Sequence, residues 1–313
     1  MSHNLKNNKT DGVIVFRKSK LTFDKSLPYM LILPSLLLIT LIMIVPIVNV
    51  FNLSVQNYSF TRLYERGYIG LGNFKSIFND ELFYVSLINS IKWVFSEVIL
   101  QLVFGLIVAL LLNINFKGRA LVRSIALVPW AVSGVLTTML WSLMLNQHIG
   151  VINDMFKRIG LIKENVAWLA NVNTVFPAVV IAELWKGIPF FAIILLASLQ
   201  SIPEEVYESC EIDGCGPAKK LYYITLPYLK ASIAFSTLLR FIWEFNSVDM
   251  IFTMTNGGPM NMTTTLPIYM MKTSIIEGNY GYGSALGVIT FLFLLAFAIY
   301  YMKLNGLGRD IDD

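Results

Sequence analysis

Six apolar runs decide what this chain can become, each long enough for the roughly 20 helical residues that cross a bilayer core. They lie at about 29–51, 86–113, 121–145, 174–199, 229–254 and 284–304. In lipid only helices and closed barrels satisfy every backbone group, and strand alternation of the barrel type is absent. The expected fold is therefore all-α, a polytopic bundle of six transmembrane helices. Composition agrees: 14% of residues are charged and 56% hydrophobic, against about 25% charged in a soluble domain. The first run is too long for the apolar core of a signal peptide and lacks a small-residue exit, so it reads as a retained span.

Lys and Arg in the connections set the orientation. With the N-terminus in the cytoplasm, the inner segments carry fourteen of them and the outer loops seven. Both termini are therefore expected inside: a tail at 1–28, a permeating body at 29–305, and a short tail at 306–313. Among the outer loops, 52–85 carries aromatics suited to an interfacial helix. The loop 146–173 carries an amphipathic piece at Ile152 to Ile162, and Thr255-Asn-Gly-Gly-Pro259 marks a tight turn.

One polar stretch, Ser201 to Pro227, falls between the fourth and fifth runs, on the cytoplasmic side. Ser201 with Glu204 reads as a capping box, with Pro203 in the first turn. The helix so opened, about Ile202 to Ile212, stops at Asp213-Gly214, and a second start follows at Gly216-Pro217. Cys210 and Cys215 are the chain's two cysteines. Two cannot make a disulfide framework, and with His3 and His148 the only histidines, a metal site has too few ligands. They read as small residues packed at an interface.

Catalytic signatures are missing: there is no G-x-x-x-x-G-K-[ST], H-E-x-x-H or G-x-S-x-G. No enzymatic activity, cofactor or nucleic-acid partner is expected. The polar residues within the spans say more. Glu183 and Lys186 stand three apart in the fourth span, and Arg240 and Glu244 four apart in the fifth around Trp243. Charge at membrane depth costs several kcal/mol, so such groups face protein or water, and at helical spacing each pair can neutralise itself. Two readings remain open: glue between helices, or a polar cavity for a hydroxyl-rich solute, with Trp243 and Phe190 stacking on sugar rings. Gly187 and Pro189 are expected to break the fourth span there. Glu97 and Gln101, one turn apart in the second span, are a further pair for the pathway or for helix contacts.

The stretch Glu208-Ser-Cys, Asp213-Gly-Cys, Ile224-x-Leu226-Pro227 resembles the EAA motif of ABC importer permeases. Every anchor keeps the spacing of that motif, and Ser209, Cys210 and Cys215 stand where it has alanine. Glu183-Leu-Trp-Lys-Gly-Ile-Pro189 and Leu239-Arg-Phe-Ile-Trp-Glu-Phe-Asn246 are similar to the carbohydrate-uptake group of the maltose and glycerol-3-phosphate type, as are Thr255 to Pro259 and Thr263 to Pro267. The resemblance covers about residues 28–305. It implies the type I ABC importer permease fold and a multi-pass protein of the cell membrane. The implied partners are a second related permease, a pair of cytoplasmic ATPase subunits, and an extracytoplasmic sugar-binding protein.

It also implies that 201–227 is the coupling loop. Glu208 would meet a basic residue of the ATPase, Asp213 and Gly214 would shape the turn, and Ser209, Cys210 and Cys215 would supply a small-residue docking face. Carried over by alignment, the positions facing a sugar at mid-membrane would be Glu183, Lys186, Gly187, Phe190, Arg240, Trp243, Glu244 and Ser247. Lys186 and Arg240 suit an anionic sugar, but Glu183 and Glu244 offset them, so the expected substrate is a neutral oligosaccharide. The alternatives are a permease for glycerol-3-phosphate or a uronate oligosaccharide, a self-sufficient secondary carrier, and a membrane-embedded enzyme.

Overall fold

The computed structural model describes residues 23–61 and 63–306. The expected terminal tails therefore lie mostly outside the described residues. The described residues divide into two compact units, with the boundary between Asn49 and Val50. The first holds α1 (Phe23–Ile39), a π-helical turn (Thr40–Ile44) and the opening residues of α2 (Val45–Ser54). Pro46 has no N–H to give to the carbonyl one turn earlier, and the widened turn just before it absorbs that loss.

The second unit is nearly all helix. Two two-residue strands, Gln56–Asn57 and Gly67–Tyr68, pair antiparallel and are followed by α3 (Gly72–Phe78). The helices that follow are α4 (Glu81–Asn113), α5 (Arg119–Ala131), α6 (Gly134–Met144), α7 (Val151–Arg158) and α8 (Val175–Gln200). Next come α9 (Glu204–Ile212), α10 (Pro217–Lys220), α11 (Leu226–Phe245), α12 (Asp249–Thr255), α13 (Leu266–Met271) and α14 (Tyr280–Asn305). Among the described residues, four helices are long and apolar enough to cross a membrane, or five if the bent α5–α6 pair is one span.

The apolar runs near 29–51, 86–113, 174–199 and 284–304 each became one continuous helix or helix series. The other two did not. The run 121–145 bends by 90° between α5 and α6, where Val132 and Ser133 both take extended ψ angles near 135–139°. The run 229–254 divides after Phe245 into α11 and α12. It carries Lys230, Arg240, Glu244 and Asp249, and neither of its helices is among those long and apolar enough to cross a membrane. The expected break of the fourth span at Gly187 and Pro189 is corrected: α8 passes through both without interruption.

The core is centred where α4 packs along α8 and α11 crosses both, with Trp93, Val94, Phe191, Leu195 and Phe245 almost wholly buried. At the far end of α4, the turn 255–265 is tied down by two polar residues of that helix. Asn89 Nδ2 donates to the carbonyls of Asn261 (2.9 Å) and Thr264 (3.1 Å). The N–H of Leu266 donates to Ser90 Oγ (2.8 Å). This explains two polar side chains in an apolar helix, since buried backbone groups of a tight turn need partners.

Candidate functional site

Charged residues that lie far apart in sequence meet in the middle of this core. From α4 come Glu97 and Gln101, from α8 Glu183, and from α11 Arg240 and Glu244. The Gln101 amide joins them: its Nε2 donates to Glu97 Oε2 (2.8 Å) and to Glu244 Oε1 (3.1 Å). Its Oε1 accepts from Arg240 Nε (2.6 Å). Arg240 Nη2 reaches Glu244 Oε1 at 2.6 Å and Glu183 Oε1 at 3.5 Å. All five residues are buried. Gly187 makes the join possible, because a Cβ there would overlap the Gln101 amide.

Arg240 and Glu244 do pair along one helix face, as their spacing suggested. Glu183 instead pairs across helices with Arg240, and no salt bridge joins it to Lys186 among the described residues. Three carboxylates here surround one guanidinium. Glu97 Oε1 and Glu244 Oε2 have no hydrogen-bond partner among the described residues. Taking one partner from a buried ion cluster leaves an uncompensated charge, which is far costlier than losing a surface pair.

The remaining expected pathway residues form a rim around this centre. Phe190 is buried, with its ring centroid 5.3 Å from that of Trp243, and Arg240 Cζ lies 5.5 Å from the Phe190 centroid. Trp243 is 47% exposed, so one of its faces is open. Ser247 is half-buried in the break between α11 and α12. Lys186 is also half-buried, beside the α5–α6 bend. A Cβ on Gly134 would lie 3.3 Å from Lys186 Nζ and 3.8 Å from Asp249 Oδ2, so both charges border this bend, though no salt bridge joins them among the described residues.

The loop at 201–227 is a helix, a turn and a helix, as its sequence suggested, but its caps differ. Ser201 does not open α9: it closes α8, and its Oγ donates to the Ser198 carbonyl (2.8 Å). Pro203 holds the N-cap position instead, with no side-chain cap. Ile202 just before α9, and Val206, Tyr207 and Cys210 within it, pack against the body, and Tyr207 Oη lies 3.1 Å from Thr225 Oγ1. Its outer face presents Glu204, Glu205, Glu208, Ser209, Glu211 and Ile212. Ile212 is 87% exposed. Glu211 pairs with Lys220, whereas Glu208 has no salt bridge among the described residues.

The helix ends on Gly214, whose φ of +74° suits a residue without Cβ. Gly214 N–H donates to the Glu211 carbonyl (3.0 Å) and Cys215 N–H to the Cys210 carbonyl (2.8 Å). These are the two bonds of a Schellman turn. Cys210 and Cys215 are joined as a disulfide, which corrects the expectation of two unbonded small residues. Past the turn, α10 continues through a π-helical turn (Leu221–Thr225) into α11, with Pro227 again just beyond the widened part.

A third polar cluster was not anticipated. Asp80 caps α4 by accepting from the Leu82 N–H (2.9 Å), and its Oδ2 also accepts from the hydroxyls of Tyr282 (2.8 Å) and Tyr269. Burial opposes ionisation of Asp80, but these three hydrogen bonds outweigh it and hold its carboxyl below the usual aspartate range. Asp80 followed by an apolar helix was a readable cap signal; the two tyrosines, 189 and 202 positions away, were not.

Comparisons with known proteins bear on the family and the fold. Residues 101–305 match the family described as binding-protein-dependent transport system inner membrane component. The chain is 35% identical over 293 residues to the trehalose/maltose transport system permease protein MalF of Thermococcus litoralis, covering 93% of this chain and 98% of that protein. It is 31% identical over 281 residues to the sulfoquinovosyl glycerol transport system permease protein SmoG of Agrobacterium fabrum, covering 90% and 91%. A diacetylchitobiose uptake system permease protein, DasB of Streptomyces coelicolor, is also 31% identical, over 88% of this chain and 86% of that protein. In fold, the chain resembles a chain of a bacterial ABC transporter involved in the import of the acidic polysaccharide alginate. That match has a TM-score of 0.80 at 22% identity and covers 90% and 96%.

Proposed function

The chain belongs to the family of binding-protein-dependent transport system inner membrane components, and from that membership we propose how its two polar regions divide the work. It is a permease subunit of an ABC importer, a multi-pass protein of the plasma membrane in a family of transport components rather than enzymes. In our reading it spans the membrane six times, with α11 and α12 together making the span that hydropathy alone leaves out. Both termini and 201–227 are cytoplasmic. The six-span body covers 29–305, between tails at 1–28 and 306–313.

The coupling reading rests on one observation, the outward acidic face of α9 on a fixed helix end. Glu208 carries the free charge, and Ser209, Cys210, Asp213, Gly214 and Cys215 set the shape around it. A pair of cytoplasmic ATPase subunits offers the cleft this face enters, a second related permease supplies the other half of the pathway, and an extracytoplasmic binding protein delivers solute. Closure of the ATPase pair on ATP moves α9, and because α10 and α11 follow without a break, the motion passes to Arg240 and Glu244.

The substrate is a sugar, in line with what the relatives are named for: trehalose or maltose, sulfoquinovosyl glycerol, and diacetylchitobiose. The pathway is lined by the cluster Glu183, Gly187, Phe190, Arg240 and Glu244 and by the rim Lys186, Trp243 and Ser247. The open Trp243 face supports stacking on a sugar ring. Arg240 is taken up by Glu183 and Glu244, and Lys186 and Asp249 border the same bend, so the lining favours a neutral oligosaccharide over a uronate. Reconstitution with the partner subunits and a panel of labelled sugars tests this. Uptake is expected for a neutral oligosaccharide and only with ATP; ATP-independent uptake by the chain alone would overturn the reading in favour of a secondary carrier.

A further inference from the structure

We propose that Cys210 and Cys215 are a reversible thiol–disulfide modification site that staples the end of α9. The helix-terminating turn puts them together. In a Schellman turn the side chains three before the cap and two after it come into contact, and with Asp213 as the cap these are Cys210 and Cys215. Their Cα atoms lie 5.2 Å apart, inside the range a disulfide spans without moving backbone. The chain has no other cysteine, so both stand at the two positions this turn apposes.

The chemistry is thiol–disulfide exchange with a small-molecule disulfide of the glutathione class. Cys215 is the half-buried partner and Cys210 the buried one. The Cys215 thiolate attacks one sulfur of the oxidant, forming a mixed disulfide and releasing one small thiolate. Cys210, deprotonated, then attacks the Cys215 sulfur and releases the second. Two protein thiols become one S–S bond, the oxidant is reduced to two thiols, and two electrons have moved. Excess small thiol reverses both steps. On the cytoplasmic side, where thiols are kept reduced, a disulfide of this kind is transient or regulatory rather than structural.

Reduced, the turn rests on two backbone hydrogen bonds and the conformation of Gly214. Oxidised, it cannot open, and the acidic face from Glu204 to Ile212 is carried on a fixed helix end. The oxidised permease therefore couples more efficiently. This last step rests on the coupling role proposed above; formation of the bond does not.

The test uses the full chain assembled with its ATPase, equilibrated across ratios of reduced to oxidised glutathione and quenched in acid. One alkylating reagent is applied under denaturation and, after reduction, an isotopically heavier one. Both cysteines are expected to become protected together in a single two-electron step, and C215S to leave Cys210 open to the first reagent at every ratio. Alkylation of both cysteines at every ratio, or a glutathione adduct on one alone, overturns the site. In parallel, the ratio of ATP-dependent uptake between oxidised and reduced wild type is expected above one, and to fall to one in C210S/C215S. A wild-type ratio of one, or a ratio the double variant retains, overturns the switch. Because alkylation reads the bond without any transport, failure of the coupling reading would leave the first result standing.

Discussion

The buried cluster and the α9 turn are both polar, yet they are built on opposite rules. Two of the three side-chain hydrogen bonds of Gln101 join different helices, across 139 and 143 positions of sequence. In the turn, every bond closes within six residues. The cluster is hidden, with more carboxylates than cations; the turn is exposed, with Glu208 unpaired. A group that holds helices together should fail by unfolding, whereas a group that meets a partner should fail silently until that partner is present.

The sharpest way to break this contrast is Arg240→Met. It leaves Glu97, Glu183 and Glu244 buried without their cation and should cost about 3–5 kcal/mol. Heating detergent-solubilised protein and following the monodisperse fraction by size exclusion would show this as a large drop in apparent Tm. Replacing Arg240 and Glu244 together with methionine should recover part of the loss. A wild-type Tm for the single variant would mean that the cluster is not a closed network.

Gly187→Ala comes next. Its new methyl displaces the Gln101 amide, an overpacking cost of about 1–3 kcal/mol by the same assay. An unchanged Tm would mean that α4 and α8 part easily and that Gln101 does not join them.

Asp80 falls between the two regions, being half-buried and bonded to both neighbouring and distant residues. Its carboxyl is depressed in the folded chain, so the stability it adds is complete above the ordinary aspartate pKa of about 4 and fades as pH drops through its lowered value. Wild type should lose Tm relative to Asp80→Asn when both are moved from pH 6 to pH 3. Equal losses would remove the role given to its hydrogen bonds.

Trp243→Ala should shift Tm less than the two core changes, by the equivalent of about 1 kcal/mol for its lost ring contact with Phe190. ATP-dependent uptake should nonetheless fall, while sugar binding to the extracytoplasmic receptor stays unchanged. Undiminished uptake would return Trp243 to a packing role.

What could be read from the chain follows the same division. The stop at Asp213 and Gly214 was readable because a helix, its end and its restart are local events with fixed spacing, whereas Glu208 was singled out only by the resemblance to the EAA motif. The contact between Cys210 and Cys215 was also local, but it follows from the left-handed turn at Gly214 rather than from the spacing of the cysteines. Charges at 183, 240 and 244 were visible as anomalies in apolar runs. Their partnership through Gln101 was not, because nothing local links α4 to α11. Hydropathy averages over a window and ignores backbone angles, so it passed straight over the bend at Val132 and Ser133. Gly187 and Pro189, read as helix breakers, suggested a break where the missing side chain of Gly187 in fact makes room for Gln101 and the helix runs on.

The central claim is that α9 receives the motion of an ATPase through Glu208, and Glu208→Ala tests it most directly. The complex carrying this substitution, reconstituted in liposomes, should show wild-type amounts and Tm of inserted permease but little ATP-dependent sugar uptake. Wild-type uptake by that complex would contradict the account.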